Sequence, residues 1–211
     1  MNPETVTKYF TRANGDYTCA RWGRPIAPIV FGVEDETISV FKGALEAMCL
    51  MTGHQLTETD PELGANLMVF FMRDWQELLD TPNLDRLIPE LPELVERLRS
   101  ADANQYRIFR FDRDNAIKAS FVFLRMDEAM SEIPADTLCL GQVVQSFALW
   151  SEAAFLETSP LALIDGQIAV LKPDVAAVLR AVYDPTMPVS AQDPSHAHRL
   201  AARASLINAS G

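Results

Sequence analysis

The sequence predicts an α+β fold: one domain in which a mixed, mostly antiparallel sheet packs on helices. Three observations lead there. Apolar residues recur with helical spacing in several segments, as at Ile38, Phe41, Leu45, Met48 and Cys49. Other segments are β-prone, and two of them flank the turn-forming stretch Asp112-Arg113-Asp114-Asn115, which predicts an antiparallel hairpin. No internal repeat, low-complexity linker or Pro/Gly hinge divides the 211 residues, a length within roughly 100–200 residues per domain.

Composition narrows the class further. Apolar residues make up 48% of the chain, which excludes general disorder. A chain of this size buries about 70% of its unfolded surface, so it folds without disulfides or a structural metal. The balance of 18 Lys+Arg against 29 Asp+Glu gives a net charge of −11. Binding to phosphate backbones needs clustered cations, so nucleic acid is not an expected partner. The same acidity predicts a neutral or basic polypeptide partner whose association weakens in salt.

Taken in order, residues 1–20 are polar and mixed and read as a loosely attached N-terminal arm, leaving residues 21–211 as the domain. Ile29-Val30-Phe31 is β-prone, and Pro25 and Pro28 confine it to an edge or a strand start. Glu34 to Thr37 supplies capping and acidic first-turn residues for the helix that follows, and Gly53 stops it. Leu63 to Met72 is apolar on both parities, as a central strand requires. Pro82, Pro89 and Pro92 break residues 73–101 into a short helix near Asp74–Leu79, an irregular piece and a helix over Glu93–Ser100.

Gln105–Asp112 and Ile117–Met126 are the two strands of the hairpin, with Phe121 and Phe123 on one face and Val122 and Leu124 on the other. Pro134 opens a buried helix to about Ala148. Thr158–Leu171 is loop with a short strand near Gln167–Leu171. Lys172-Pro173-Asp174 begins a helix ended by Asp184-Pro185, and Ser190–Ile207 forms a last helix.

The N-terminus has no apolar h-region behind a basic start, and no apolar run reaches a membrane-spanning length. The chain as given is therefore expected to be soluble and cytoplasmic, or periplasmic or secreted if a leader was trimmed, with no membrane partner. Cys19, Cys49 and Cys139 lack CxxC or CxxH spacing and read as reduced, mostly buried thiols.

Motifs for known chemistries are few. His196 and His198 lie two apart, whereas helical metal ligands share a face at i and i+4, and His54 is remote in sequence. No G-x-S-x-G elbow, G-x-G-x-x-G or P-loop occurs. The acidic groups at Glu34–Glu36 and Glu58–Glu62 read as solvated loop charge and helix caps. The informative stretch is Leu140 to Glu152, a core helix bearing two amides, Gln142 and Gln145, three residues apart. Buried amides need partners: an adjacent loop or sheet edge, or a ligand. Arg21-Trp22 and Trp150 read in two ways as well, as core packing or as part of a ligand surface.

Several pieces together resemble a bacterial family of uncharacterised proteins with the fold of zincins, the zinc metallopeptidases. They are Arg21-Trp22 with Pro25 and the β-prone run; Thr52-Gly53; Ala65-Asn66 before an apolar strand; Gln145 to Leu149; Lys172-Pro173-Asp174; and Leu179 with Tyr183-Asp184-Pro185. A zincin helix reads H-E-x-x-H, extended in one branch by x-x-G-x-x-H, its histidines binding zinc and its glutamate activating water. On that pattern Gly141, Gln145 and Ser151 take the ligand positions, Gln142 the general-base position and Ala148 the glycine position. None matches.

The resemblance therefore implies a zincin-like domain with a degenerate metal motif: no metal, no cofactor and no catalytic residue. What it retains is a helix beneath a mixed sheet and a groove along an edge strand. The expected ligand is a peptide or protein, with Trp22, Gln142, Gln145, Ser151 and Glu152 as candidate binding residues. Two alternatives stay open. One is a hydrolase using Ser151 with Glu152 or Asp184, outside the zincin site. The other is a structural domain that assembles through its apolar or acidic surface.

Overall fold

The structure, a computed structural model, describes residues 1–209. In chain order its first elements are α1 (Pro3–Phe10), β1 (Cys19–Ala20), β2 (Pro28–Phe31), α2 (Asp35–Thr52), β3 (Leu67–Met72), α3 (Gln76–Asp80), α4 (Leu84–Leu87) and α5 (Leu91–Ser100). The hairpin β4 (Gln105–Phe111) and β5 (Ile117–Arg125) follows, then α6 (Glu128–Ser131) and α7 (Ala135–Phe147). The remainder is β6 (Leu161–Ile164), β7 (Ile168–Leu171), α8 (Pro173–Val182), β8 (Ser190–Ala191) and α9 (Ser195–Ala209). No helix among the described residues is long and apolar enough to cross a membrane.

The α+β class and the mixed sheet agree with the sequence reading. The strand directions need correction. The main sheet has the order β2-β3-β5-β4; β2–β3 and β3–β5 are parallel, and only β4–β5 is antiparallel. Among the described residues, antiparallel strand pairs also form the small ribbons β1–β8 and β6–β7. Parallel neighbours need long crossovers, which α2 supplies between β2 and β3. The turn into that crossover depends on Gly32, whose φ is +83° and where a Cβ would overlap the carbonyl oxygen of Phe71.

Helices cover both faces of the two inner strands, which explains their unbroken apolar character. Val69, Phe71, Val122 and Leu124 join the larger core with α1, α2, α7, α8 and α9. Phe70, Met72, Phe121 and Phe123 join a smaller core under α3–α5. As expected, α2 ends at Gly53, in left-handed conformation with φ 70°, its N–H bonded to the carbonyl of Cys49.

The N-terminal segment is not a loose arm. Asn2 caps α1 through its side chain, and Pro3 stands in the first turn. Val6 and Phe10, one helical turn apart, are fully buried in the larger core. Polar residues between them conceal this short apolar stripe. Phe10 stacks on Trp150, ring centroids 5.2 Å apart. Three further differences are local. Pro134 is the N-cap of α7 instead of a first-turn residue. Leu161–Ile164 is a strand, pairing β7 across an Asp165-Gly166 turn with both φ values positive. Ser190 and Ala191 form β8 before α9 begins.

Candidate functional site

On β4, the side chains of Gln105, Arg107, Phe109 and Phe111 alternate onto the face turned toward α7. The strand ends the sheet, so its outer edge has no strand partner among the described residues. A cleft of about 420 Å³ opens beside it, lined by Arg107, Phe109, Phe111, Arg12, Cys19 and Leu149, with Ser190 to Gln192 at its rim. On the opposite face Tyr106, Ile108 and Arg110 border a second cleft of about 270 Å³, closed by Glu93 and Arg97 of α5. There the Arg97 guanidinium lies 5.3 Å from the Tyr106 ring centre and donates to its hydroxyl at 2.8 Å.

Arg107 is the centre of the larger cleft. Its Nη2 donates to the side-chain oxygens of Gln142 and, at 3.3 Å, of Gln105. Gln142 in turn donates to Gln105 at 3.3 Å. The Nε atom is buried without a partner. No carboxylate lies within ion-pair distance of Arg107 among the described residues. Burial pulls the guanidinium down to about 10. Arg12, by contrast, is neutralised: it donates to the Trp150 carbonyl at 2.8 Å and to Glu152 at 3.2 Å. Cys19 is fully buried, and desolvation raises its thiol well above the ordinary range, so it presents no thiolate to the cleft. All three cysteines are buried and free.

The sequence-nominated residues do not form one cluster. Gln142 is buried and belongs to the Arg107 network. Gln145 is half-buried and makes no side-chain hydrogen bond to protein among the described residues. Ser151 donates its hydroxyl to the Lys8 carbonyl at 2.9 Å. Glu152 accepts from Arg12 and from the Ala13 N–H, pinning the loop after α1. Trp22 is fully buried, its Nε1 donating to the Ser146 carbonyl at 2.9 Å, and it does not line the cleft. Asp184 accepts from Thr186 and from Arg203 Nε, the latter at 2.6 Å.

The donor set at the zincin ligand positions does not fit zinc. Gly141 has no side chain, Gln145 offers a neutral amide, and the Ser151 hydroxyl is engaged by backbone. His54 and His196 have structural partners, and His198 is exposed. His54 donates from Nε2 to the Arg24 carbonyl and packs edge-on to Tyr183. His196 Nδ1 shares a 2.9 Å hydrogen bond with the Tyr17 hydroxyl. Burial lowers both imidazoles to about 4. No group of three His, Cys, Asp or Glu among the described residues is arranged to hold a metal ion.

Sequence reasoning passed over Arg107, Arg12, Phe109 and Phe111. The available signal was the alternation Gln-Tyr-Arg-Ile-Phe-Arg-Phe in the first hairpin strand, which puts a charge between phenylalanines and a glutamine on one face. The chain matches no family model, no curated protein and no solved structure.

Proposed function

We propose that this chain is a non-catalytic, zincin-like binding domain, a pseudoenzyme scaffold that holds an extended peptide along β4. The observation that carries the reading is the outer edge of β4, which has no strand partner among the described residues and lies between two clefts. A peptide adding as a strand would bond its main chain to that edge. Its side chains would alternate into the Arg107 cleft and the Tyr106 cleft. The zincin-like part rests on the sequence pieces already named and on α7, which carries Gly141, Gln142 and Gln145 and reaches β4 through Gln142. The absence of catalysis is supported by Gly141, Gln142, Gln145 and Ser151 at the four chemical positions, none of which supplies imidazole or carboxylate.

Two measurements test this. Amide hydrogen exchange with a blocked hexapeptide of valine and threonine should protect amides of Gln105–Phe111. Protection confined to another surface, or none at millimolar peptide, overturns the binding reading. Stoichiometric zinc whose removal abolishes a peptidase activity overturns the non-catalytic one.

A further inference from the structure

Resting on that strand-addition reading, we infer that Arg107 recognises a carboxylate on the bound peptide, either an acidic side chain or the chain terminus. Within the larger cleft Arg107 is the guanidinium without an anionic partner, since Arg12 is paired with Glu152. Its two protein acceptors, Gln105 and Gln142, are neutral amides. They orient the fork without cancelling its charge. Nε is buried with no hydrogen-bond partner among the described residues. A half-buried cation held this way is costly unless an anion joins it. A carboxylate matches a guanidinium in geometry as well as charge, and such bonds are the stronger class.

The acidity of the whole chain does not oppose this. The cleft is a local positive spot on a net-negative protein, so it selects a peptide that is neutral or basic overall with one carboxylate at the Arg107 position. An inward-pointing charge on an edge strand has another possible use, which is to discourage edge-to-edge association. The two uses predict different behaviour.

The test titrates isotope-labelled protein with two blocked hexapeptides of valine and threonine, one with a central glutamate and one with glutamine there. A third peptide is neutral with a free C-terminus. The glutamate peptide should bind about tenfold or more tightly than its glutamine twin, the usual gain from a hydrogen bond to a charged group. The Arg107 Nε–H resonance should move with the glutamate peptide and, if the terminus is the source, with the third. Arg107→Gln should equalise the glutamate and glutamine peptides. Equal affinities in the native protein, with β4 amides shifting for both, would overturn the clamp and leave strand addition standing. If no peptide binds but glutarate alone shifts the Nε–H resonance, the clamp holds and strand addition fails. If nothing moves, both are wrong; increased self-association of Arg107→Gln would then assign the charge to edge protection.

Discussion

The side-chain oxygen of Gln142 on α7 accepts a hydrogen bond from the Arg107 guanidinium on β4. One contact thus ties the core helix to the free edge of the sheet. Under the proposed zincin-like reading Gln142 takes the position of the glutamate that would act on water; in the structure its amide holds a cation in place. Gln142→Ala leaves the half-buried guanidinium short of an acceptor and should cost about 1–3 kcal/mol in urea unfolding. Gln142→Glu should instead stabilise at neutral pH by supplying the missing charge. That gain should disappear in acid as the new carboxylate takes up a proton. Equal unfolding midpoints for the two variants would show that the contact carries no energy.

The glycines at the two ends of the first crossover should respond differently. Gly53→Ala meets open space but keeps a left-handed φ, so it should cost about 1 kcal/mol. Gly32→Ala adds a clash with the Phe71 backbone and should cost clearly more, displacing β2 from β3. Thermal unfolding of both variants checks the order. A Gly32→Ala protein as stable as Gly53→Ala would mean that β2 is not held against β3 as described.

Acid should weaken the fold before most carboxylates titrate. His196 is lowered from 6.5 to about 4 by burial and by the nearby Arg199 charge, and His54 is lowered to about 4 chiefly by burial. Between those values the unfolded chain binds protons that the folded chain does not. Stability should therefore fall as pH drops from about 6.5 to about 4, with the histidine contribution levelling off below. Urea midpoints across that window measure it. His196→Gln should remove roughly half of the slope while leaving a side-chain amide as hydrogen-bond partner for Tyr17. An unchanged slope would refute the assignment.

The first helix should prove structural. Phe10→Ala removes a fully buried ring stacked on Trp150 and should cost about 3–5 kcal/mol. A loss under 1 kcal/mol in chemical unfolding would restore the picture of a loosely attached arm.

How far the sequence could be read follows from how local each signal is. The helix α2 with its Gly53 stop and the β4–β5 hairpin were legible, because periodicity and turn chemistry sit within a few residues. The parallel pairing of β2, β3 and β5 was not, since register between distant strands leaves no local mark. The burial of α1 was missed because Val6 and Phe10 are flanked by polar residues. Gln142 stood out as an amide in an apolar helix. Its partner Arg107 did not, because pairing across 35 positions appears only once α7 lies against β4. Trp22, Ser151 and Glu152 attract attention by residue type, yet Trp22 packs in the core and the other two fasten the N-terminal segment.

The central claim is that the free edge of β4 takes an extended peptide, and cross-strand nuclear Overhauser contacts with a blocked valine–threonine hexapeptide test it most directly. Regular contacts between peptide backbone protons and those of Gln105 to Phe111, with side chains alternating toward Arg107 and Tyr106, are the expected result. Contacts from the bound peptide to any other surface, or no contacts at saturating peptide, would contradict it.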